Sequence, residues 1–209
     1  MRLLELFSGT GSVAKAVGDQ FSEVVSVDIL PSFQPSICVD ILTWNYTDYP
    51  QDFFHTIWAS PPCTEYSKAK TQGVRNYALA DSIVKRTLEI IDYFEPVRWF
   101  IENPQTGKLK EREFMNGIPF YDVDYCQYGK PYRKRTRIWT NVEGFEARLC
   151  NPTTCSQMSD GRHKMSCGNG YTSDVKTQSK YSGRKYTELS LSKEEKYAIP
   201  EQLIRELFA

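Results

Sequence analysis

The chain has 209 residues, 26 basic and 26 acidic side chains, a hydrophobic content of 40% and six cysteines. This length and apolar content predict one domain, or one domain with a small appendage. There is no run of about 18 apolar residues, which argues against a transmembrane helix, and the short apolar start is unlike a signal peptide. We therefore expect an intracellular protein whose cysteines are thiols, ligands or a nucleophile rather than disulfides.

The chain opens with an apolar run that leads into a glycine turn. Arg2–Phe7 predicts a strand, Ser8–Ser12 a turn and Val13–Gln20 a helix. Glycines let the backbone pass close to a ligand, and a helix N-terminus offers unpaired N–H groups. The turn is too short for a phosphate-binding P-loop and lacks Gly-Lys-Ser/Thr. It is therefore either a ligand-binding turn or merely a tight one.

Two aspartates follow at predicted strand ends. The strand Glu23–Val27 leads into Asp28, which could accept hydrogen bonds from both ribose hydroxyls of a nucleoside. Asp40 lies in the short apolar segment Ile37–Leu42. It could accept from an adenine amino group, or be a surface or capping aspartate. This part of the chain thus predicts a nucleoside-binding half of a sheet.

A lone cysteine follows the next predicted strand. Phe53–Trp58 reads as a buried strand, and Pro61 and Pro62 stop it because proline offers no N–H to a sheet. Cys63 is left at the carboxyl end, where ligands bind in open α/β sheets. It is a candidate nucleophile; the alternative is a small apolar residue in a turn.

The loop 64–77 interleaves cations with tyrosines. Lys68, Lys70 and Arg75 could contact phosphates from a mobile lid, although a solvated loop would have a similar composition. A core-facing helix is predicted over Leu79–Phe94.

A strand over Val97–Ile101 then delivers Glu102 and Asn103 to the same edge as Cys63. The Glu102 carboxylate is a candidate general acid there.

Phe120–Tyr125 and Arg137–Asn141 are predicted to form a further strand pair, separated by the basic run Lys130–Arg137. Its arginines could hold phosphates or a base edge, or the run could be a solvated loop. Residues 1–60 have an excess of acidic side chains and the remainder an excess of basic ones, which suits a polyanionic partner. Lys193–Phe208 predicts a final helical segment that Pro200 restarts.

Residues 142–186 are poor in aliphatic side chains and contain a cysteine/histidine cluster. These residue types are zinc ligands, in a segment too small to build a core of its own. The alternative is a set of unlinked thiols. The candidate metal ligands are Cys150, Cys155, His163 and Cys167.

Taken in order, the motifs resemble those of DNA (cytosine-5) methyltransferases, in a compact form of phage, viral or bacterial type. The resemblance runs from residue 3 to about residue 141. It implies an α/β Rossmann-like fold with a mixed, mostly parallel sheet and helices on both faces. It divides the chain into a core (1–141), a Cys/His-rich insert (142–186) and a C-terminal helix completing the core (187–209). The motifs are Phe7-Ser8-Gly9-Thr10-Gly11, Asp28, Asp40, Pro61-Pro62-Cys63, Glu102-Asn103 and Arg135-Thr136-Arg137.

The resemblance also implies residue roles. Cys63 would add to carbon 6 of cytosine, Glu102 would bind or protonate ring nitrogen 3, and Arg135 and Arg137 would hold Glu102 and the base's carbonyl oxygen. S-adenosylmethionine would contact Phe7, Gly9, Gly11, Asp28, Asp40 and Pro61. The DNA would contact Ser67, Lys68, Arg75 and Asn103.

The chain departs from the family pattern in three ways. Thr64 and Pro104 replace the usual Gln and Val, the spacing before Arg135 looks one residue longer, and the large target-recognition domain is missing. We expect the insert to contact DNA in its place, with short or relaxed sequence specificity. Two alternatives stay open: the same chemistry on RNA or a nucleotide, and a non-catalytic relative that binds DNA or cofactor and supports a partner. We expect a monomer, or a partner supplying target recognition, in the cytoplasm of a bacterial or virus-infected cell.

Overall fold

The structure is a computed structural model that describes residues 1–68, 70–159, 161–165 and 191–209. Seven strands form one sheet in the order β3-β2-β1-β4-β5-β7-β6. All neighbouring pairs are parallel except those of β7, which runs antiparallel to β5 and β6. The strands are β1 (Arg2–Leu6), β2 (Glu23–Asp28), β3 (Ile37–Cys38), β4 (Thr56–Ala59), β5 (Arg98–Pro104), β6 (Phe120–Asp124) and β7 (Arg135–Thr140).

The described residues contain four α-helices besides the sheet, and a small hairpin that forms a separate two-stranded sheet. The helices are α1 (Ser12–Val17), α2 (Tyr77–Phe94), α3 (Lys193–Tyr197) and α4 (Glu201–Phe208). The hairpin pairs β8 (Met158–Ser159) with β9 (Arg162–His163). This mixed, mostly parallel sheet with helices confirms the predicted fold class. Within the described residues, no helix has the length and apolar character needed to span a membrane.

Side chains that alternate along the central strands divide the core between the two sheet faces. Leu4 and Ile57 point to the cluster formed with α2, whereas Leu3 and Trp58 point to the cluster formed with α1 and α4. The alternation follows from the two-residue period of a strand. Phe208 of α4 stacks on the second face, 5.1 Å from the Phe100 ring. The end of the described chain therefore packs against the sheet.

Several elements differ in extent from the sequence prediction. β3 has only two residues, and Asp40 lies in the turn after it, where its carbonyl accepts from Thr43 N and Trp44 N. β4 begins at Thr56, because the preceding Phe53 and Phe54 pack into an aromatic cluster at a bend. β7 begins at Arg135, two residues earlier than predicted. The predicted final helix is interrupted before Pro200, as the proline suggested.

Candidate active site

The carboxyl ends of β1, β2, β4 and β5 meet at one edge of the sheet. The register pairs Leu6 with both Val27 and Ala59, and Ala59 in turn with Ile101. The chain leaves β3 and returns as β4 on the other side of β1, so the topology reverses beside β1. Ligands of open α/β sheets bind at such a reversal. The motifs Phe7–Gly11, Asp28, Cys63 and Glu102 lie at this edge, and the arginine motif lies at the start of β7, where Arg137 pairs with Asn103.

Asp28 holds the glycine turn at this edge. Its Oδ2 accepts a hydrogen bond from Gly9 N and its Oδ1 accepts one from Leu30 N, each at 2.9 Å. Phe7, Gly9 and Gly11 have φ of 56°, 47° and 67°, a left-handed backbone that glycine adopts without strain. A Cβ added at Gly11 would meet nothing within 4 Å, so space is open above the turn.

The other predicted cofactor residues are less tightly held. Asp40 is half-buried, and its Oδ1 accepts from Leu42 N at 3.0 Å, which is a local turn contact. Pro61 is buried beside the strand that carries Asn103. Ile199 N, just before α4, donates to Ser12 Oγ at 3.2 Å. The C-terminal segment therefore contacts the glycine turn directly.

Sequence reasoning missed Glu5, a buried carboxylate within β1. It accepts from Val13 N and Ala14 N at 3.1 Å each, and so satisfies two unpaired donors at the start of α1. Burial raises the pKa of Glu5 to about 7, against the opposing effects of those two N–H groups and of Lys15. An acidic residue in an otherwise apolar strand was the available signal.

A hydrogen bond joins the Cys63 segment to the end of β5. Asn103 Nδ2 donates to Pro61 O at 2.9 Å, and Tyr66 N donates to Cys63 O at 3.1 Å, which closes the turn. Cys63 is partly buried. Burial raises the pKa of the Cys63 thiol, the nearby Glu102 carboxylate raises it further, and Lys134 acts in the opposite direction. The Glu102 carboxylate and the Lys134 ammonium group thus both act on the Cys63 sulfur.

Glu102 is 7% exposed and has two polar neighbours from the antiparallel part of the sheet. Tyr125 OH donates to Glu102 Oε1 at 3.0 Å, and Lys134 Nζ lies 3.6 Å from the same oxygen. No hydrogen bond is found to Oε2 from the described residues. Sequence analysis did not single out Tyr125 or Lys134 as site residues. Two features of the sequence could have indicated them: Tyr125 carries a hydroxyl group at the end of a predicted strand, and Lys134 belongs to the dense basic run.

Arg135 and Arg137 do not hold Glu102 in the structure, contrary to the expectation from the resemblance. Arg135 makes a two-pronged contact with Asp124, at 3.1 and 2.7 Å, and Arg137 makes one with Asp122, at 2.7 and 2.9 Å. The physical reason is register, because each arginine lies directly opposite its aspartate across the β6–β7 ladder.

Asp124 is fully buried, and its carboxylate accepts hydrogen bonds from several donors. Burial acts to raise its pKa, but hydrogen bonds from Arg135, the Cys150 amide and Arg133 outweigh it and leave the pKa below its ordinary value. The Arg133 Nε donates to Asp124 Oδ1 at 3.2 Å, and Cys150 N donates to Oδ2 at 2.8 Å. Asp124 therefore joins the basic run to the segment after β7.

The loop after Cys63 is held by its own side chains. Lys70 Nζ lies 2.6 Å from Glu65 Oε1, and Arg75 donates to the carbonyls of Glu65 and Lys70 at 2.5 and 2.8 Å. Arg75, predicted to contact substrate, is therefore engaged within the loop. Ser67 follows the turn and is half-buried, whereas Lys68 is exposed.

A second group of side chains gathers beyond β6. The ligand atoms of four residues lie within 4.8 Å of one another, and the group is formed by Cys126, Cys150, Cys155 and His163. Three of these were predicted as metal ligands. Cys126, which precedes the insert, was missed because it is far from the others in sequence. The predicted Cys167 lies outside the described residues.

The solved structures that resemble this fold include two methyltransferases. One is the Dnmt2 methyltransferase of S. pombe, with a TM-score of 0.50 and 19% identity over 70% of this chain. The other is a candidate DNA modification methyltransferase encoded within an E. coli prophage, with a TM-score of 0.51 and 17% identity over 73% of this chain. The chain spans about half of each, 53% and 52%. The fold is therefore that of the Rossmann-like methyltransferases.

A relative found by sequence similarity indicates which family of methyltransferases the chain belongs to. A protein of Frog virus 3 (isolate Goorha), named a probable DNA (cytosine-5)-methyltransferase, is 40% identical over 165 residues, which are 72% of this chain and 75% of the relative. No family model matches the chain. At this identity and coverage, the chain belongs to the DNA (cytosine-5)-methyltransferase family, which confirms the resemblance drawn from its motifs.

Proposed function

We propose that this protein transfers a methyl group from S-adenosylmethionine to carbon 5 of cytosine in DNA, with Cys63 as the nucleophile. The observation that carries the proposal is the junction of two motifs: the Asn103–Pro61 hydrogen bond fixes the turn of Cys63 beside the strand of Glu102. Family membership supports the same chemistry.

The edge beside β1 and β2 fits S-adenosylmethionine. When bound, this molecule supplies an electrophilic methyl group on a sulfonium. The open space above Gly11 would admit it, and the Asp28 oxygens, each with a lone pair left after their backbone contacts, would accept from the ribose hydroxyls. Asp40 and Pro61 lie at the same edge and complete our proposed site, with Phe7 and Gly9.

Cys63 would activate the base. Carbon 5 of cytosine is a weak nucleophile, and addition of the Cys63 thiolate to carbon 6 converts the ring into an enamine whose carbon 5 can take up the methyl group. Loss of the carbon 5 proton then restores the double bond between carbons 5 and 6 and expels the Cys63 thiolate. The target base must leave the duplex stack to reach the sulfur, which costs a few kcal/mol.

Glu102 would stabilise the charge that develops on the ring. Its Oε1 is occupied by the Tyr125 hydroxyl and faces the Lys134 ammonium group, which leaves Oε2 to bind or protonate ring nitrogen 3. Lys134 also lowers the pKa of Cys63 and so favours the thiolate. In this arrangement Lys134 provides the positive charge that we expected from Arg135 and Arg137.

The test is the variant Cys63→Ala, with Cys38→Ala as the matched control because Cys38 is an exposed thiol to which the proposed chemistry gives no role. Purified proteins are incubated with duplex DNA and S-adenosylmethionine, and 5-methylcytosine is measured by mass spectrometry. Cys63→Ala should lose methyl transfer and keep cofactor binding by calorimetry, while Cys38→Ala keeps both. Full turnover by Cys63→Ala would refute the mechanism.

Parallel reactions with RNA and with dCMP as methyl acceptors test the choice of substrate. We expect duplex or single-stranded DNA to be the preferred acceptor; faster methylation of RNA or dCMP would refute this part. A protein that binds the cofactor but methylates none of the three would be a non-catalytic relative.

We further infer that residues 142–186 contact the DNA. Within their described part, Arg162 and Lys164 are exposed on or next to the β8–β9 hairpin and suit phosphate contacts. So small a module can read few base pairs. Bisulfite sequencing of DNA methylated in vitro should therefore reveal a target of only one or two fixed base pairs, and a long fixed site would contradict the inference.

A further inference from the structure

The side-chain group beyond β6 has the composition of a structural metal centre. Three sulfur atoms and one imidazole nitrogen converge within 4.8 Å, and all three cysteines are free thiols. Cys150 Sγ lies 3.4 Å and Cys155 Sγ 3.8 Å from His163 Nε2. We propose that Cys126, Cys150, Cys155 and His163 bind one zinc ion, which fastens the segment after β7 to the catalytic core.

The spacing of the ligand atoms suits tetrahedral zinc. Bonds of about 2.3 Å to sulfur and about 2.0 Å to nitrogen place neighbouring ligands about 3.5 to 3.8 Å apart. The two sulfur–nitrogen separations of 3.4 and 3.8 Å are already in or near that range, and no pair of ligand atoms in the group is more than 4.8 Å apart. Four protein ligands leave no open position, which is the pattern of structural rather than catalytic zinc.

The amide side chain of Gln127 lies next to the Cys/His group and can donate hydrogen bonds to its sulfur atoms. Gln127 Nε2 lies 3.5 Å from Cys155 Sγ and 3.9 Å from Cys126 Sγ. Donors of this kind commonly surround zinc thiolates, because they stabilise the negative charge on sulfur and orient the ligands. An unlinked set of thiols would gain less from such a donor, because a neutral thiol is a weak acceptor.

The surrounding segment needs a fastening of this kind. Among the described residues between Asn141 and Met165, which leave out residue 160, the only regular structure is the two-residue pairing of β8 with β9. Apart from these four side chains, this segment is attached to the core by hydrogen bonds such as Cys150 N to Asp124 Oδ2 and Met165 N to Pro131 O, at 2.8 and 3.0 Å, by the Arg148–Glu206 ion pair, and by packing of Val142, Phe145 and Met165. Small segments without an apolar core commonly depend on a metal for order.

Cys126 gives the proposed centre a connection to the active site. It belongs to the 3₁₀ helix Tyr125–Tyr128, which directly follows β6, and the three consecutive residues at this junction have different partners. Asp124 holds Arg133 and Arg135, Tyr125 donates to Glu102, and Cys126 faces the other thiols. A metal on Cys126 would therefore fix the backbone that positions both the arginines and the Glu102 carboxylate.

The experiment is elemental analysis of the purified full-length protein. We expect about one zinc per chain, the stoichiometry of a single four-ligand site. Cys126→Ser and Cys155→Ser should each lose most of it, whereas Cys38→Ser and Cys167→Ser keep it. Zinc lost in Cys167→Ser and kept in Cys126→Ser would overturn the ligand set. A folded wild-type protein with less than about 0.2 zinc per chain would overturn the site itself.

A second measurement covers variants that fail to fold. Wild-type protein is loaded with Co²⁺ in place of zinc, and its absorption spectrum should show tetrahedral bands with thiolate charge transfer. Alkylation rates of the individual cysteines, read by peptide mass spectrometry, should fall at Cys126, Cys150 and Cys155 when metal is present, and stay unchanged at Cys38. Alkylation rates that stay unchanged at all three cysteines when metal is added would overturn the proposal. None of these readouts requires methyl transfer.

Discussion

The parallel and antiparallel halves of the sheet use their charged side chains differently. In the parallel half, Glu5 and Asp28 accept hydrogen bonds from backbone N–H groups. In the antiparallel half, Asp122 and Asp124 pair with arginines directly across the ladder. Acceptors bonded only to the backbone keep lone pairs for a ligand, whereas paired guanidinium groups have already used donors within the protein.

This difference changes the assignment of roles at the edge. Glu102 lies on β5, the strand where the two halves meet, and its charged neighbour is Lys134 rather than either arginine. A substitution at Glu102 or at its neighbour Lys134 should therefore affect chemistry, while one at Glu5 or at an aspartate paired across the β6–β7 ladder should affect stability first. Four predictions test this division.

The largest expected effect on methyl transfer is that of Glu102→Gln. Glutamine keeps the shape of the side chain but can neither carry the charge nor donate a proton to the base, so methyl transfer should fall by about a hundredfold or more. Single-turnover kinetics with saturating DNA measure it, and the urea midpoint serves as the folding control. A rate within about threefold of wild type would remove Glu102 from the chemistry.

The second effect contrasts the two aspartates of β6. Asp124→Asn removes a fully buried charge that holds Arg133 and Arg135, and should lower the free energy of unfolding by about 4 kcal/mol. Asp122→Asn, at a partly exposed pair, should cost about 1.5 kcal/mol. Urea unfolding of both variants measures the difference. Equal losses would mean that burial does not separate the two pairs.

The third prediction concerns pH and Glu5. Its folded pKa of about 7 exceeds its ordinary value of 4.5, so its stabilising contribution is complete below pH 4.5 and is lost as the pH rises through 7. From pH 5 to 8 this group alone should lower the free energy of unfolding by at most about 3 kcal/mol. Glu5→Gln should flatten the curve measured by urea unfolding, and an unchanged slope would contradict the assignment.

The smallest effect is expected for Lys134→Gln. Loss of the cation that lowers the Cys63 pKa should move the midpoint for alkylation of that thiol to higher pH, and methyl transfer should slow by roughly tenfold. Lys134→Arg keeps the charge and should largely restore both. An alkylation profile identical to wild type in Lys134→Gln would show that the ammonium group does not act on the sulfur.

Much of the edge follows from local sequence. Parallel strands bring their carboxyl ends together, so the positions of Asp28, Cys63 and Glu102 at one edge could be expected from strand order alone. Their roles stay predictions until the variants are measured. Asp40 shows the limit, because the segment before it pairs for only two residues with β2 and leaves it in a turn.

The partners of the arginines could not be predicted in the same way. Arg135 and Arg137 fit a family motif, yet their contacts depend on which residues of β6 lie opposite, and a shift of one residue would turn them to the other face. The Cys126 thiol joins the rest of the Cys/His group for a similar reason, since the turn after β6 folds back onto the segment after β7. The spacing of cysteine and histidine residues along the chain does not predict a contact of this kind.

Sequence alone determined the family, the order of strands and helices, the thiol after two prolines and the carboxylate after β5. These features depend on residue type and on the short repeat of apolar residues along a strand or helix, and both can be recognised within a few positions of the chain. Tertiary structure alone decided that Lys134 and Tyr125 face Glu102, that the motif arginines pair with aspartates, and that Cys126 completes the Cys/His group. Those contacts join residues from different elements, and they are set by strand register and packing rather than by any local pattern.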